Sequence, residues 1–213
     1  MKPLASTLLA LGLFAAAAGI ADRALASECE WPDRRTQASV LPITTDDGSY
    51  ASAVVIGRNR VITAAHAVHE AIRTFVRIGD EYREGKVLSM DAGKDLAVIE
   101  VDTSGLAPIR LSRREPHANQ RVWAIGFPQA SSKTTSLGQF NGEVDGALHT
   151  SAPIDAGESG GGLLTCEQGD FVLAGMLRGY GAYRRGNEYV RIENHSVSVA
   201  ARDIEEFVFW RLH

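Results

Sequence analysis

Cysteine is scarce in this chain, which has two among its 213 residues, Cys29 and Cys166. So few cysteines exclude a disulfide-dense scaffold. Basic residues are also outnumbered, with 22 Lys and Arg against 26 Asp and Glu and a formal net charge of −4, which argues against nucleic acid as a partner. Metal ligands are sparse as well: His66 and His69 stand three apart, but no Asp, Glu or Cys cluster completes a set at ligand spacing. We therefore expect no metal and no cofactor.

Long hydrophobic runs are missing except at the N-terminus. Residues 1–26 begin with a positive charge at Lys2, continue as an apolar run that stops at Asp22, and end in the small-x-small sequence ALA. This pattern predicts a signal peptide, because the run is short for a bilayer-spanning helix. We expect a mature chain of residues 27–213, secreted or periplasmic, with no stable membrane insertion. Its length fits one domain.

The two cysteines both fall in the expected mature chain. In an exported protein such a pair is more often bridged than not. We therefore predict a disulfide between Cys29 and Cys166, which would tie the N-terminal arm to the second half of the chain.

Short β-rich segments separated by polar or glycine turns dominate the mature chain. They favour an all-β barrel or sandwich, with residues 103–119 as the connection between two halves. Two segments differ. An alanine-rich stretch at 64–72 predicts a short helix that carries His66, and three- and four-residue apolar spacing over 200–212 predicts an amphipathic C-terminal helix. The predicted strands are 39–44, 51–57, 60–63, 74–78, 96–101, 121–127, 160–165 and 171–178.

Three residues, His66, Asp95 and Ser159, lie in segments that suggest chemistry. Ser159 is in the sequence GESGG, where the glycines allow a tight turn that aims successive N–H groups at one point beside the hydroxyl. A serine hydroxyl is a poor nucleophile near neutral pH, so it needs a base and a carboxylate that fixes the tautomer of that base. His66 and Asp95 are the candidates for these roles.

The segments VITAAH (61–66), DLAVI (95–99) and GESGG (157–161) resemble the three catalytic segments of the chymotrypsin/trypsin-like serine proteases, in the same order. The short interval from His66 to Asp95, with AIGFP at 124–128, resembles bacterial HtrA/Deg-type protease domains in particular. The PDZ module that usually follows in those proteins is not expected in this chain. The resemblance implies two six-stranded antiparallel barrels, at about 36–105 and 118–200, followed by a C-terminal helix at about 200–212.

The resemblance also implies a role for each residue. Ser159 would attack an acyl carbonyl, His66 would take and return its proton, and Asp95 would orient the imidazole. The N–H groups of Gly157 and Ser159 would form the oxyanion hole. The implied protein is an exported serine endopeptidase that acts on proteins or peptides through an acyl-enzyme. HtrA-type proteases often assemble as trimers, but we expect a monomer, because the sequence offers no clear counterpart of the N-terminal element that builds those trimers. The alternative is a catalytically silent binding or chaperone module on the same fold.

Substrate preference is less constrained. Pro153 lies where trypsins carry the acidic base of the specificity pocket, so a preference for Lys or Arg is not expected. Leu177 suggests an apolar wall, whereas Arg178 and His195 suggest positive charge; small apolar and acidic side chains both stay open, with apolar weakly favoured. Glu158 replaces the Asp of trypsins and the Asn of HtrA-type enzymes. It is either the partner of a newly formed N-terminus or a solvent-facing acid.

Overall fold

The computed structural model describes residues 29–212, so the leader expected at 1–26 lies outside the described residues. The chain forms two closed six-stranded antiparallel barrels and a C-terminal helix, which confirms the predicted fold class. Across residues 29–212, no helix has the length and apolarity needed to span a bilayer. The elements are α1 (Arg34–Ala38), β1 (Val40–Thr45), β2 (Tyr50–Gly57), β3 (Arg60–Ala64), β4 (Thr74–Ile78), β5 (Glu81–Asp91), β6 (Leu96–Glu100), β7 (Arg121–Gly126), β8 (Thr134–Val144), β9 (Ala147–Thr150), β10 (Gly162–Glu167), β11 (Asp170–Arg185), β12 (Glu188–Ala200) and α2 (Ala201–Leu212).

The two barrels share one strand order. The first closes as β1-β2-β3-β6-β5-β4, and the second repeats that order as β7-β8-β9-β12-β11-β10. Their inner strands are apolar on both faces because each face is buried. On β2, Val55 packs inside the first barrel, while its neighbour Val54 packs in the core between the barrels. Val61 and Ile62 divide in the same way on β3. Because successive side chains of a strand point to opposite faces, one continuous apolar run contributes both to the core inside a barrel and to the core between the barrels.

Four of the twelve strands in the described range have no counterpart among the predicted ones. Three of them are largely polar and are exposed or half-buried over much of their length, and β9 is only four residues long, so neither sustained alternation nor a continuous apolar run marks them. Pairing with a neighbour on each side holds them: β8 lies between β7 and β9, and β12 lies between β9 and β11. Their β structure is imposed by barrel closure rather than by local sequence. The four are β5, β8, β9 and β12.

The helix predicted over residues 64–72 is wrong. The chain makes only a 3₁₀ turn, Ala65–Ala67, after β3. Ala64 still pairs with Leu96 on β6, and the Ala65 amide donates to the Asp95 carbonyl at 3.2 Å. Because these tertiary bonds fix the backbone where a helix would have to start, the helix propensity of alanine is overridden.

The N-terminal arm is fastened to the body of the protein. The disulfide Cys29–Cys166 is present, with a Cα–Cα distance of 5.7 Å, which confirms the predicted bridge. Asp33 caps α1 by accepting from the Thr36 amide at 2.7 Å. At the other end of the chain, α2 buries its apolar face in the core between the barrels. Cys29 and α2 therefore both contribute to the core between the barrels.

Candidate active site

The three residues singled out by the sequence lie on turns at the seam between the barrels. His66 is in the 3₁₀ turn after β3, Asp95 comes directly before β6, and Ser159 lies on the loop between β9 and β10. Two of them belong to the first barrel and one to the second. The barrels are joined at this point, because the Ser52 amide of β2 donates to the Ser159 carbonyl at 2.8 Å.

His66 and Asp95 form a closely bonded pair. The Nδ1 atom of His66 lies 3.0 Å from Oδ1 and 2.9 Å from Oδ2 of Asp95, and the His66 amide donates to Oδ1 at 2.9 Å. A carboxylate only accepts hydrogen bonds, so Nδ1 carries the proton and Nε2 keeps its lone pair. The side chain of His66 is 53% exposed. The arrangement therefore supplies a base with a fixed tautomer and an accessible Nε2 atom.

Asp95 is an almost fully buried carboxylate, at 5% exposure. Burial acts to raise its pKa, but the hydrogen bonds from the ring and amide of His66 outweigh burial, and the charges of His66 and Arg178 add to them, so the pKa falls below its ordinary value. Its backbone is left-handed, with φ at 59°. This conformation is uncommon for a residue other than glycine, and it is tolerated because three hydrogen bonds hold the side chain.

The hydroxyl of Ser159 does not donate to His66 in this structure. It donates instead to the backbone carbonyl of Arg178, at 3.1 Å. Catalytic hydrogen bonds are often misaligned in structures without substrate and form only when substrate binds. In this rotamer the Ser159 hydroxyl is therefore engaged by the backbone of β11 rather than by the His66–Asp95 pair.

The loop before Ser159 offers two unused backbone donors. The Ala156 carbonyl accepts from the Gln129 amide at 2.9 Å, and in a trans peptide the N–H of the next residue, Gly157, points the opposite way. Within residues 29–212, neither the Gly157 amide nor the Ser159 amide has a hydrogen-bond acceptor. Gly157 has φ at +96°, and a Cβ there would lie 2.5 Å from the Gln129 amide nitrogen. Glycine is therefore required at 157 both by conformation and by space.

Ser52 supports this loop, and the sequence analysis missed it. Its buried hydroxyl donates to the Gly157 carbonyl at 2.9 Å and accepts from the Phe127 amide at 2.9 Å. Ser52 thus joins the first barrel to the loop that carries the two free amides. Its one sequence signal is a small polar residue inside the apolar run of β2, which is easily taken for a chance interruption.

Glu158 contradicts one of the two expectations for it, because at 3% exposure it is not a solvent-facing acid. The expected mature N-terminus lies outside the described residues, so pairing with it stays a prediction. Among residues 29–212, Oε1 of Glu158 accepts from the Thr134 hydroxyl at 2.5 Å, and Oε2 accepts from the Asp155 amide at 2.6 Å. Burial raises its pKa, and the charge of Asp155 adds to this, against the lowering by the two hydrogen bonds and by Arg191. Glu158 is a buried acid that closes the loop onto β8.

We expect Glu158→Gln to gain stability relative to the parent as pH rises from about 4 to 7. A raised pKa means that the folded chain binds more protons than the unfolded chain at the start of this window, so ionisation of Glu158 costs stability as pH increases. Glutamine has no charge to bury. Urea unfolding at both pH values measures the difference in free energy of unfolding.

Glu84→Gln is the matched control for that experiment. Glu84 is exposed, and its hydrogen bond and ion pair with Arg73 lower its pKa, so this variant should lose stability relative to the parent, as pH rises, only at the acidic end of the range, and the difference should be constant above about pH 5.5. A free-energy difference for Glu158→Gln that stays constant, or that follows the Glu84→Gln trend, would contradict the cost assigned to the buried charge.

The residues proposed for substrate preference are not gathered in one place. Leu177 is fully buried in the core of the second barrel, so it cannot form the expected apolar wall of a pocket. Pro153 is exposed, and its carbonyl accepts from the Ser136 hydroxyl at 2.6 Å. His195 lies 2.7 Å from His149, ring nitrogen to ring nitrogen. The guanidinium of the fourth residue, Arg178, is directed at Asp95.

A cavity of about 350 Å³ adjoins the His66–Asp95 pair. Asp47, His69 and Glu70 line it together with the pair, and so do Ser49, Ala65, Ala67 and Ala92. Clefts of about 510 and 560 Å³ lie elsewhere, beside the disulfide and the N-terminal arm, and no candidate catalytic residue lines them. The smaller cavity is therefore the one of these three that contains the bonded His–Asp pair.

Two antiparallel six-stranded barrels with a His–Asp pair and a glycine-flanked serine at their seam define the architecture of trypsin-like peptidases. The model of the trypsin-like peptidase domain family matches residues 51–173. The chain therefore belongs to this family.

Curated relatives place the chain near the Do-like proteases. It is 32% identical over 96 residues to Protease Do-like 5, chloroplastic, of Arabidopsis thaliana, covering 38% of this chain and 30% of the relative. It is 27% identical over 140 residues to the putative serine protease HhoB of Synechocystis, covering 59% of this chain and 34% of the relative. The chain thus spans about a third of the length of the curated relatives it matches.

Solved structures share the fold. The Rv3671c protease of M. tuberculosis in its active form superposes with a TM-score of 0.72 at 19% identity, covering 83% of this chain and 82% of that one. The serine endoprotease of Yersinia pestis superposes with a TM-score of 0.69 at 22% identity, covering 85% of this chain and 67% of that one. At these identities the likeness establishes the arrangement of the barrels alone.

Proposed function

We propose that this protein is an exported serine endopeptidase in which Ser159, His66 and Asp95 act as a catalytic triad. The observation that carries the proposal is the bond between His66 Nδ1 and the buried Asp95 carboxylate, at 2.9 and 3.0 Å, at the same seam as Ser159. Family membership supports it, as do the two amides of the glycine loop that lack acceptors among residues 29–212.

The proposed reaction proceeds in two halves. The Ser159 hydroxyl leaves the Arg178 carbonyl, transfers its proton to His66 Nε2, and attacks the scissile carbonyl carbon. The amides of Gly157 and Ser159 stabilise the resulting oxyanion, and the imidazolium returns the proton to the leaving amine as the C–N bond breaks. Water then attacks the acyl-enzyme with His66 again as base. Asp95 stays ionised throughout and holds the ring.

An open strand edge beside Ser159 suits an extended polypeptide. β10 pairs with β11 only as far as Met176, and the Leu177 carbonyl accepts from the Gly160 amide at 2.7 Å. From Arg178 to Arg185, β11 is paired with β12 alone among the described residues. Peptides bind to such edges by adding a strand through main-chain hydrogen bonds. This geometry supports protein or peptide substrates over small esters.

Export is part of the proposal, and two features support it. The first 26 residues have the charge, apolar run and cleavage sequence of a signal peptide. The disulfide Cys29–Cys166 favours an oxidising compartment, because cytosolic reductants keep thiols reduced. A secreted or periplasmic location fits both.

Labelling by a fluorophosphonate probe tests the activated serine. The protein, expressed with its own leader and purified, should be labelled covalently, and the label should be absent from Ser159→Ala and from His66→Ala. Ser136→Ala is the matched control, since Ser136 is a half-buried serine whose hydroxyl donates to the Pro153 carbonyl, and it should keep full labelling. The folded parent remaining unlabelled would overturn the proposal and favour the silent binding module.

A further inference from the structure

Arg178 contacts two of the three proposed catalytic residues. Its Nε atom lies 3.4 Å from Asp95 Oδ2, and its carbonyl accepts the Ser159 hydroxyl at 3.1 Å. The Asp95 side chain is 7% exposed while that of Arg178 is 49% exposed, so the ion pair joins a buried carboxylate to a half-exposed guanidinium. Nothing in the sequence signals this contact, which arises because β11 passes over the start of β6.

We propose that Arg178 is a positioning residue of the triad, whose charge on Asp95 Oδ2 keeps His66 in its unprotonated form at lower pH and so extends activity into acid. The inference rests on the proposed function, because it concerns the base that Ser159 needs. A cation held on the carboxylate offsets part of the negative charge that would otherwise stabilise an imidazolium. His66 must be unprotonated to accept the serine proton.

The carboxylates around the pair act in the opposite sense. Asp47 and Glu70 line the cavity next to His66, and both favour an imidazolium, whereas a positive charge on His69, which also lines it, would act in the same sense as Arg178. Arg178 is the cation that the structure places within ion-pair distance of Asp95, apart from His66 itself, among residues 29–212. Removing the charge of Arg178 therefore leaves the His66–Asp95 pair next to the carboxylates of the cavity, without the positive charge that offsets theirs.

The test is the pH dependence of inactivation by diisopropyl fluorophosphate, a small reagent that reacts with the activated serine and needs no peptide subsite. For Arg178→Gln, the pH at half-maximal rate on the acidic side should rise by about half a pH unit, as expected for a charge several ångströms away in a largely aqueous setting. Arg178→Lys should lie close to the parent. The plateau rate should change less than the midpoint.

Arg184→Gln is the matched control, because it removes one positive charge from the same strand, where the Arg184 Nε donates to the Gly186 carbonyl. Its profile should coincide with that of the parent. Superposition of the Arg178→Gln and parent profiles, or an equal shift in Arg184→Gln, would overturn the inference and leave the proposed function intact. Arg178→Met repeats the comparison with a stem of similar length, in case the glutamine variant folds poorly. No inactivation of the parent would overturn the proposed function, and this inference with it.

Discussion

We expect Asp95→Asn to lower kcat about ten-thousand-fold while leaving the fold intact, the size of effect found when the carboxylate of a related triad is replaced by an amide. Asp95 Oδ1 accepts from the His66 amide as well as from Nδ1. In the variant, the His66 amide still donates to the one remaining side-chain oxygen, so the NH₂ group of the new asparagine faces Nδ1 of His66. That nitrogen must then accept, which moves the proton to Nε2 and removes the base.

Steady-state hydrolysis of a peptide substrate at pH 7 to 8 measures this change. Asp102→Asn is the matched control: Asp102 follows β6, the strand that Asp95 precedes, and its carboxylate accepts from Ser104 at the surface. It should keep the parent kcat. Thermal unfolding of both variants checks that the folds are equal. An Asp95→Asn variant that retains more than about a tenth of kcat would contradict the tautomer argument.

The motifs around His66, Asp95 and Ser159 predicted the fold more completely than the apolar patterns of the individual strands did. The eight predicted strands are those with an alternating or continuous apolar pattern, as on β2, where Val54 and Val55 are both buried. Strands β5, β8, β9 and β12 place few apolar side chains in the cores, Leu148 of β9 among them, so their sequences carry no such pattern. The identities of His66, Asp95 and Ser159 were readable from flanking residues, since each segment must turn the chain in a particular way.

What could not be predicted is how the candidate site is held together. Ser52 is remote in sequence from the loop it supports, and Arg178 is remote from Asp95; both contacts exist only once β2, β6 and β11 converge. Leu177 was assigned to a pocket because it is apolar and near the motif, but strand alternation turns its side chain into the core. The strand register decides which face of the sheet such a side chain occupies, and a shift of one residue moves it to the opposite face.

The same convergence makes Gly160 the glycine for which we expect the largest cost on replacement. Its φ is +85°, and a Cβ there would lie 2.0 Å from the Ser52 carbonyl oxygen and 2.4 Å from Thr63 Oγ1. Neither neighbour can yield easily, because both residues are fully buried and the Thr63 hydroxyl donates to the Ser52 carbonyl at 2.7 Å. Gly160→Ala should therefore lose about 4 kcal/mol or more in free energy of unfolding, and probe labelling of Ser159 with it.

Gly146→Ala separates the stability cost of the steric collision at Gly160 from the cost of a left-handed backbone conformation. Gly146 has a similar φ of +80°, lies at the turn between β8 and β9, and has nothing within 4 Å of the added Cβ. It should lose only about 1 kcal/mol, the cost of a left-handed alanine. Urea unfolding compares the two variants directly. Equal losses of stability would mean that the seam relaxes around the methyl group. A much larger loss for Gly160→Ala would mean that the loop carrying Ser159 lies on a rigid contact between the barrels. A preorganised oxyanion hole requires such rigidity.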